Sequence, residues 1–134
     1  MTRIFRAVAI IAGLLLVALT MIEAQNTPPR YMLASGGKAT TAIVIGTQAS
    51  QRTRLAAKTL ADYLSKIAGT KFDIEAGDGA TGIAVGLVAD FPAVTSPNDL
   101  RSKDPTRTED YWLHSHAKGL HVIGASDSAV EHAI

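Results

Sequence analysis

Residues 40–134 predict a small α/β (α+β) domain: a mixed β-sheet of about four to five strands with two helices packed on one face. Three observations predict it. Ala42–Gly46 (AIVIG) is an apolar run too short for a helix and closed by glycine, as a buried strand is. Gln51–Ala68 carries apolar residues at helical spacing. Thr81–Leu87, Asp110–Ala117 and Leu120–Ala125 then read as strands, before a short helical pattern that ends at Ile134. The order is strand, helix, four strands, helix, which places the helices on one face of a mixed sheet.

Each element has a local reason. The Ser50 hydroxyl can accept from an orphan amide in the first turn of the helix beginning at Gln51. Leu60, Tyr63, Leu64 and Ile67 form the apolar stripe of that helix, with Ala56, Ala57 and Ala61 beside it for close packing on a sheet. Gly69 stops it, where a positive φ is wanted. Lys71–Ala76 alternates, with Phe72 and Ile74 on one face. Val88–Glu109 shows no period and holds Pro92, Pro97 and Pro105, so it reads as a long polar loop, functional or mobile. Lys118-Gly119 centres a hairpin between the last two strands. Ser126 or Asp127 opens a last helix of about two turns, marginal by itself. Its uncapped end at Ile134 suggests a piece of a longer chain.

The first 24 residues have a different character. Arg3 and Arg6 precede the unbroken apolar run Val8–Leu19, and Ile22-Glu23-Ala24 offers a cleavage site, the three parts of a secretory signal. The run Ala7–Ile22 is shorter than the ~20 residues of a spanning helix. Residues 1–24 are therefore expected to be a cleaved signal peptide, 25–39 a polar leader and 40–134 the domain. The expected location is secreted or periplasmic, with membrane contact only during export.

Composition excludes several function classes. Cleavage near Ala24 leaves 11 basic and 11 acidic residues, so nothing draws the domain to nucleic acid electrostatically. The chain has no cysteine, which removes disulfides, thiolate nucleophiles and cysteine-ligated zinc.

Gly77-Asp78-Gly79-Ala80-Thr81-Gly82 has the spacing G-x-G-x-x-G, but a dinucleotide cradle needs a helix after it, and Thr81–Leu87 has strand character. The segment reads as a glycine-rich hairpin turn. His114 and His116 share one strand face. A two-residue turn at Lys118-Gly119 would put His121 opposite His116, three imidazoles on one face, with Leu113, Leu120 and Val122 on the other. A type I turn with Gly119 in a bulge would move His121 away. Without a placed carboxylate, no metal site and no cofactor is assigned to His114, His116 and His121. Asp73, Glu75, Glu109 and Asp110 are scattered, and nothing in the sequence pairs them as a glycosidase needs. Ser115 lacks a nucleophile elbow. No catalytic residue is assigned.

The helix LAAKTLADYLSKIAG (Leu55–Gly69), the strand end Ile83-Ala84-Val85-Gly86, Asp110-Tyr111-Trp112-Leu113 and the closing Gly119-Leu120-His121-Val122-Ile123-Gly124-Ala125 together resemble a known pattern. It is that of the N-terminal α/β accessory domain which precedes the catalytic barrel in α-glucuronidases, β-hexosaminidases and related glycoside hydrolases. The resemblance spans about residues 40–134. It implies a non-catalytic domain of a secreted glycoside hydrolase acting in polysaccharide degradation, inactive by itself, whose partner is the (β/α)₈ barrel of the same parent chain. The catalytic carboxylates would belong to that barrel, and the three histidines are not part of the pattern. The alternative expectation is an exported carbohydrate-binding or envelope interaction module, with Trp112 and the long loop contacting sugar.

Overall fold

The computed structural model describes residues 30–134. The expected signal peptide and the first part of the leader lie outside these residues. Among the described residues, no helix is long and apolar enough to cross a membrane.

The expected α/β architecture is present: a five-stranded mixed sheet with two helices. A short hairpin, β1 (Ala34–Ser35) and β2 (Lys38–Ala39), comes first. Composition assigns this segment to the leader, yet Leu33, Ala34 and Ala39 pack against the main core. Then follow β3 (Ile43–Ile45), α1 (Gln51–Ala68), β4 (Ile74–Ala76), β5 (Gly82–Leu87), β6 (Tyr111–His116), β7 (Gly119–Gly124) and α2 (Asp127–His132). The sheet order is β4-β3-β5-β7-β6. Only the edge strand β6 runs antiparallel, paired with β7.

α1 begins and ends where its sequence signals lie. The Ser50 hydroxyl accepts from the Thr53 amide, and Gly69 closes the helix at φ 66°. The stripe facing the sheet is the alanine one: Thr53, Ala56, Ala57 and Ala61 are buried. Leu60 and Leu64 only flank the core, while Tyr63 and Ile67 are 54% and 83% exposed. This corrects the expected apolar face. Small side chains let the helix axis approach the sheet, so the adjoining large residues are turned outward.

At the helix ends, α2 is tied to α1 by polar bonds. Asp127 accepts from Ser50 Oγ at 2.5 Å and Thr53 Oγ1 at 2.9 Å, and Arg52 forks onto Glu131. The Ser126 hydroxyl caps α2 through the Ala129 amide.

Two cores lie on opposite faces of the sheet. On the helix face, Ile43, Ile45, Ile83, Val85 and Val122 meet the alanines of α1 and Val130 of α2. On the other, Val44, Ala84 and Ile123 meet Phe91, Val94 and Leu100. These last three come from the segment after β5, expected as a long polar loop. It forms three short 3₁₀ turns, at Val88–Asp90, Asn98–Arg101 and Pro105–Arg107, and roofs the second face. Each apolar side chain so buried contributes about 1.5–3 kcal/mol. Three widely spaced apolar residues suffice for a roof without any periodic pattern, so periodicity did not reveal it.

Three further expectations need correction. Only Ile74–Ala76 of the alternating run pairs, all three exposed at the sheet edge, while Phe72 is buried just before it. The segment Gly77–Thr81 is not a hairpin turn. β4 and β5 both lie parallel to β3 on its two sides, so the segment crosses over Val44. A Cβ added at Gly77 or Gly82 would come within 2.8 Å of a Val44 methyl, so this crossover lies flat only because it lacks side chains there. The last hairpin turns at Ala117–Lys118, both with negative φ, not at Lys118-Gly119. Gly119 is a strand residue, and it must be glycine because a Cβ there would sit 2.0 Å from the Gly82 carbonyl oxygen.

Gly119→Ala is therefore expected to cost about 3 kcal/mol or more of unfolding free energy, from overpacking against backbone. Ser50→Ala should cost about 1 kcal/mol. Urea unfolding followed by far-ultraviolet circular dichroism checks both. Equal, small effects would contradict the β5–β7 register.

Candidate functional site

The roofed face of β6 and β7 gathers most of the unusual chemistry. Along β6, Trp112, His114 and His116 point to this face, because alternate residues of a strand do. His121 of β7 lies directly opposite His114, and His116 opposite Gly119. Neither expected hairpin register is the observed one, since the turn is shifted by one residue. The three imidazoles nevertheless share a face. Their ring centroids are 6.2 Å apart for His114–His116, 6.0 Å for His114–His121 and 4.4 Å for His116–His121. Trp112 stacks on His114 at 4.8 Å and 8°, and leans on His121 at 5.5 Å. On the other face Leu120 and Val122 join the helix-side core as expected, while Leu113 is 53% exposed.

His121 is the anchor of this group. It is 8% exposed, and its Nε2–H donates to the Gly79 carbonyl at 3.1 Å, since a carbonyl can only accept. That bond ties β7 to the glycine crossover. It also fixes the tautomer and leaves the Nδ1 lone pair buried with no partner in the chain. His116 Nδ1 accepts a long bond, 3.4 Å, from the Lys118 amide, and its buried Nε2 has no partner. Burial, more than the charges of His114 and Lys118, holds the His116 imidazole below its ordinary range. Burial likewise lowers His121, against the Gly79 bond that favours its protonated form. Among the described residues, no three histidine or carboxylate side chains are placed to hold one metal ion.

Trp112 also lines a cleft of about 390 Å³. Pro97, Asp99, Leu100, Arg107, Glu109, Asp110 and Tyr111 line the rest. Arg107 organises it: its Nε donates to Asp110 at 2.7 Å and its other end meets Asp99 at 3.3 Å. The Asp110 bond, then the nearby carboxylates, raise the Arg107 pKa. Glu109 lies 2.8 Å from His132 Nδ1. The carboxylates of the cleft thus each face a cationic or imidazole group. Asp73 and Glu75 lie away from it, at and beside the β4 edge, Asp73 paired with Lys71.

The sequence singled out Trp112 and the three histidines. It missed Arg107 as the centre of the cleft, and the only available signal was its position between Asp104 and Asp110 in a segment without period.

No family model matches this chain, and no curated protein matches it significantly.

Trp112→Ala should cost about 2–4 kcal/mol, since the ring packs against both the second core and two imidazoles, whereas Trp112→Phe should cost much less. Trp112 is the single tryptophan, so circular dichroism rather than fluorescence must report the unfolding. A neutral Trp112→Ala would mean that the stack carries no stability.

Proposed function

We propose that this chain is the non-catalytic N-terminal α/β accessory domain of an exported glycoside hydrolase of the α-glucuronidase or β-hexosaminidase type, acting in polysaccharide degradation. The observation that carries this reading is the outer side of α1. Leu55, Tyr63 and Ile67 are 56%, 54% and 83% exposed on one helix. With Leu60, Leu64 and Ile134, Tyr63 and Ile67 line a mainly apolar groove of about 610 Å³ that Thr59 and Glu131 also border. An apolar strip of this kind marks a docking surface. A (β/α)₈ barrel of the same parent chain is the partner that the sequence resemblance implies. The roof over the second face supports the same choice of side, because it leaves the helix side as the one with bare apolar area. The pairing of the cleft carboxylates supports a role in packing rather than catalysis.

The reading predicts that the reading frame beyond the codon for Ile134 continues for about 250 residues with alternating strand and helix periods, the size of a barrel. It also predicts that the 134-residue chain turns over no chromogenic glycoside. An immediate stop codon, or turnover that survives purification controls, would refute it.

A second reading has its own observation, the cleft lined by Trp112, Arg107 and three carboxylates. Aromatic faces and charged hydrogen-bonding groups suit a hydroxyl-rich sugar. Titrating the fluorescence of Trp112 with oligosaccharides tests it, and an unchanged spectrum excludes sugar at this cleft.

A further inference from the structure

The imidazole group has a property independent of any parent enzyme: it is assembled for one protonation state. In the neutral state His121 presents a bare acceptor, Nδ1, because its Nε2–H is committed to Gly79. His116, whose Nδ1 accepts from Lys118, presents a donor, Nε2–H. Donor and acceptor lie on rings 4.4 Å apart, with His114 stacked beside both. A proton added to His121 Nδ1 turns the acceptor into a second buried donor and puts a charge where nothing can receive it. A proton on His116 adds a like charge on a ring 4.4 Å away.

The surroundings offer no compensation. From β6 come His114, His116 and Trp112, and from the turn Lys118, itself cationic. From β5 comes Ala84, opposite His121 in register, and from the crossover the Gly79 carbonyl. The nearby Asp78 carboxylate accepts from the Ala80 amide. The roof contributes Phe91, Val94 and Leu100 to the core beside them. No carboxylate acts on either His116 or His121.

We propose that His116 and His121, with the His114 ring stacked beside them, form an acid-triggered latch: above neutral pH they close the β6 edge and the glycine crossover onto β7, and acidification releases them. Protonation by itself strengthens the His121–Gly79 bond, but burial opposes the charge more strongly; the bond, which ties β7 to the crossover, is given up only when the charged ring leaves its buried site for water. The released parts are an edge strand and a segment of five residues between β4 and β5, both peripheral to the helix-side core. Opening is therefore local, as low-stability segments allow.

The sign follows from linkage. A histidine whose folded pKa lies below its open-state value, ordinarily 6.5, stabilises the closed form fully above about 6.5. That contribution is lost as pH falls below 6.5 toward the lowered folded value. The open form binds the extra protons.

The experiment is amide hydrogen exchange by NMR on the full chain between pH 7.5 and 4.5, corrected for intrinsic chemistry. Protection at Tyr111–His116 and Gly79–Gly82 should fall on acidification while Ile43–Ile45 stays protected. His121→Gln keeps an amide donor for the Gly79 carbonyl but cannot titrate, so it should abolish the acid-linked loss. Should that variant fail to fold, His116→Gln removes the ring at 4.4 Å and should reduce the loss. Protection lost in β3 together with β6 would overturn the latch in favour of global acid unfolding. So would a wild-type pH dependence retained in whichever of the two glutamine variants folds.

Discussion

The backbone contact between Gly119 and Gly82 sets most of what is distinctive here. The two strands that carry them, β5 and β7, run parallel for six residues. At the first pair the chains are so close that a methyl group on Gly119 would overlap the Gly82 carbonyl oxygen at 2.0 Å. Because side chains alternate along a strand, that one pairing fixes the face of every residue that follows. It puts Ile83 and Leu120 toward the helices, and Ala84 and His121 toward the roof. A slip of one residue would reverse each of these. The turn of the last hairpin is displaced for the same reason: Gly119 is held in the ladder, so the reversal falls on Ala117 and Lys118.

From that register the second face acquires its composition. Ala84 is small, and the space above it admits the crossover and the His121 ring, which then meets Gly79. The helix face is conventional by contrast, branched aliphatic residues of the sheet against alanines of α1. The roofed face combines a hydrophobic patch of Phe91, Val94, Leu100 and Ile123 with a row of four aromatic or imidazole rings. Buried, unpartnered imidazole nitrogens are costly even in neutral rings, and a charge on a ring costs far more. The polar chemistry of the domain is therefore concentrated on the roofed face. The apolar surface that a partner could cover is on the opposite side.

The two faces of α1 show how little a helical stripe says about what it touches. Leu60, Tyr63, Leu64 and Ile67 have the spacing of a core stripe, but the sheet is met by Thr53, Ala56, Ala57 and Ala61. Both stripes are apolar, and spacing alone cannot rank them. The close approach of the helix to the sheet decides between them. The outward stripe is then left with Tyr63 and Ile67 exposed.

By itself the sequence determined the elements whose causes are local. α1 runs from its Ser50 cap to its Gly69 stop, and the strands at Ile43–Ile45 and Gly82–Leu87 stand where short apolar runs predicted them. That His114 and His116 share a face also follows from local geometry. Only the tertiary structure decided what depends on contacts between distant segments. Those are the crossover of Gly77–Thr81 over Val44, the roof made by Phe91, Val94 and Leu100, the cleft around Arg107, and the pairing of His114 with His121. The physical reason is the same in each case. A cap or a glycine stop acts over three or four residues of chain, while a steric limit between two backbones 37 residues apart, such as Gly82 and Gly119, leaves no local trace.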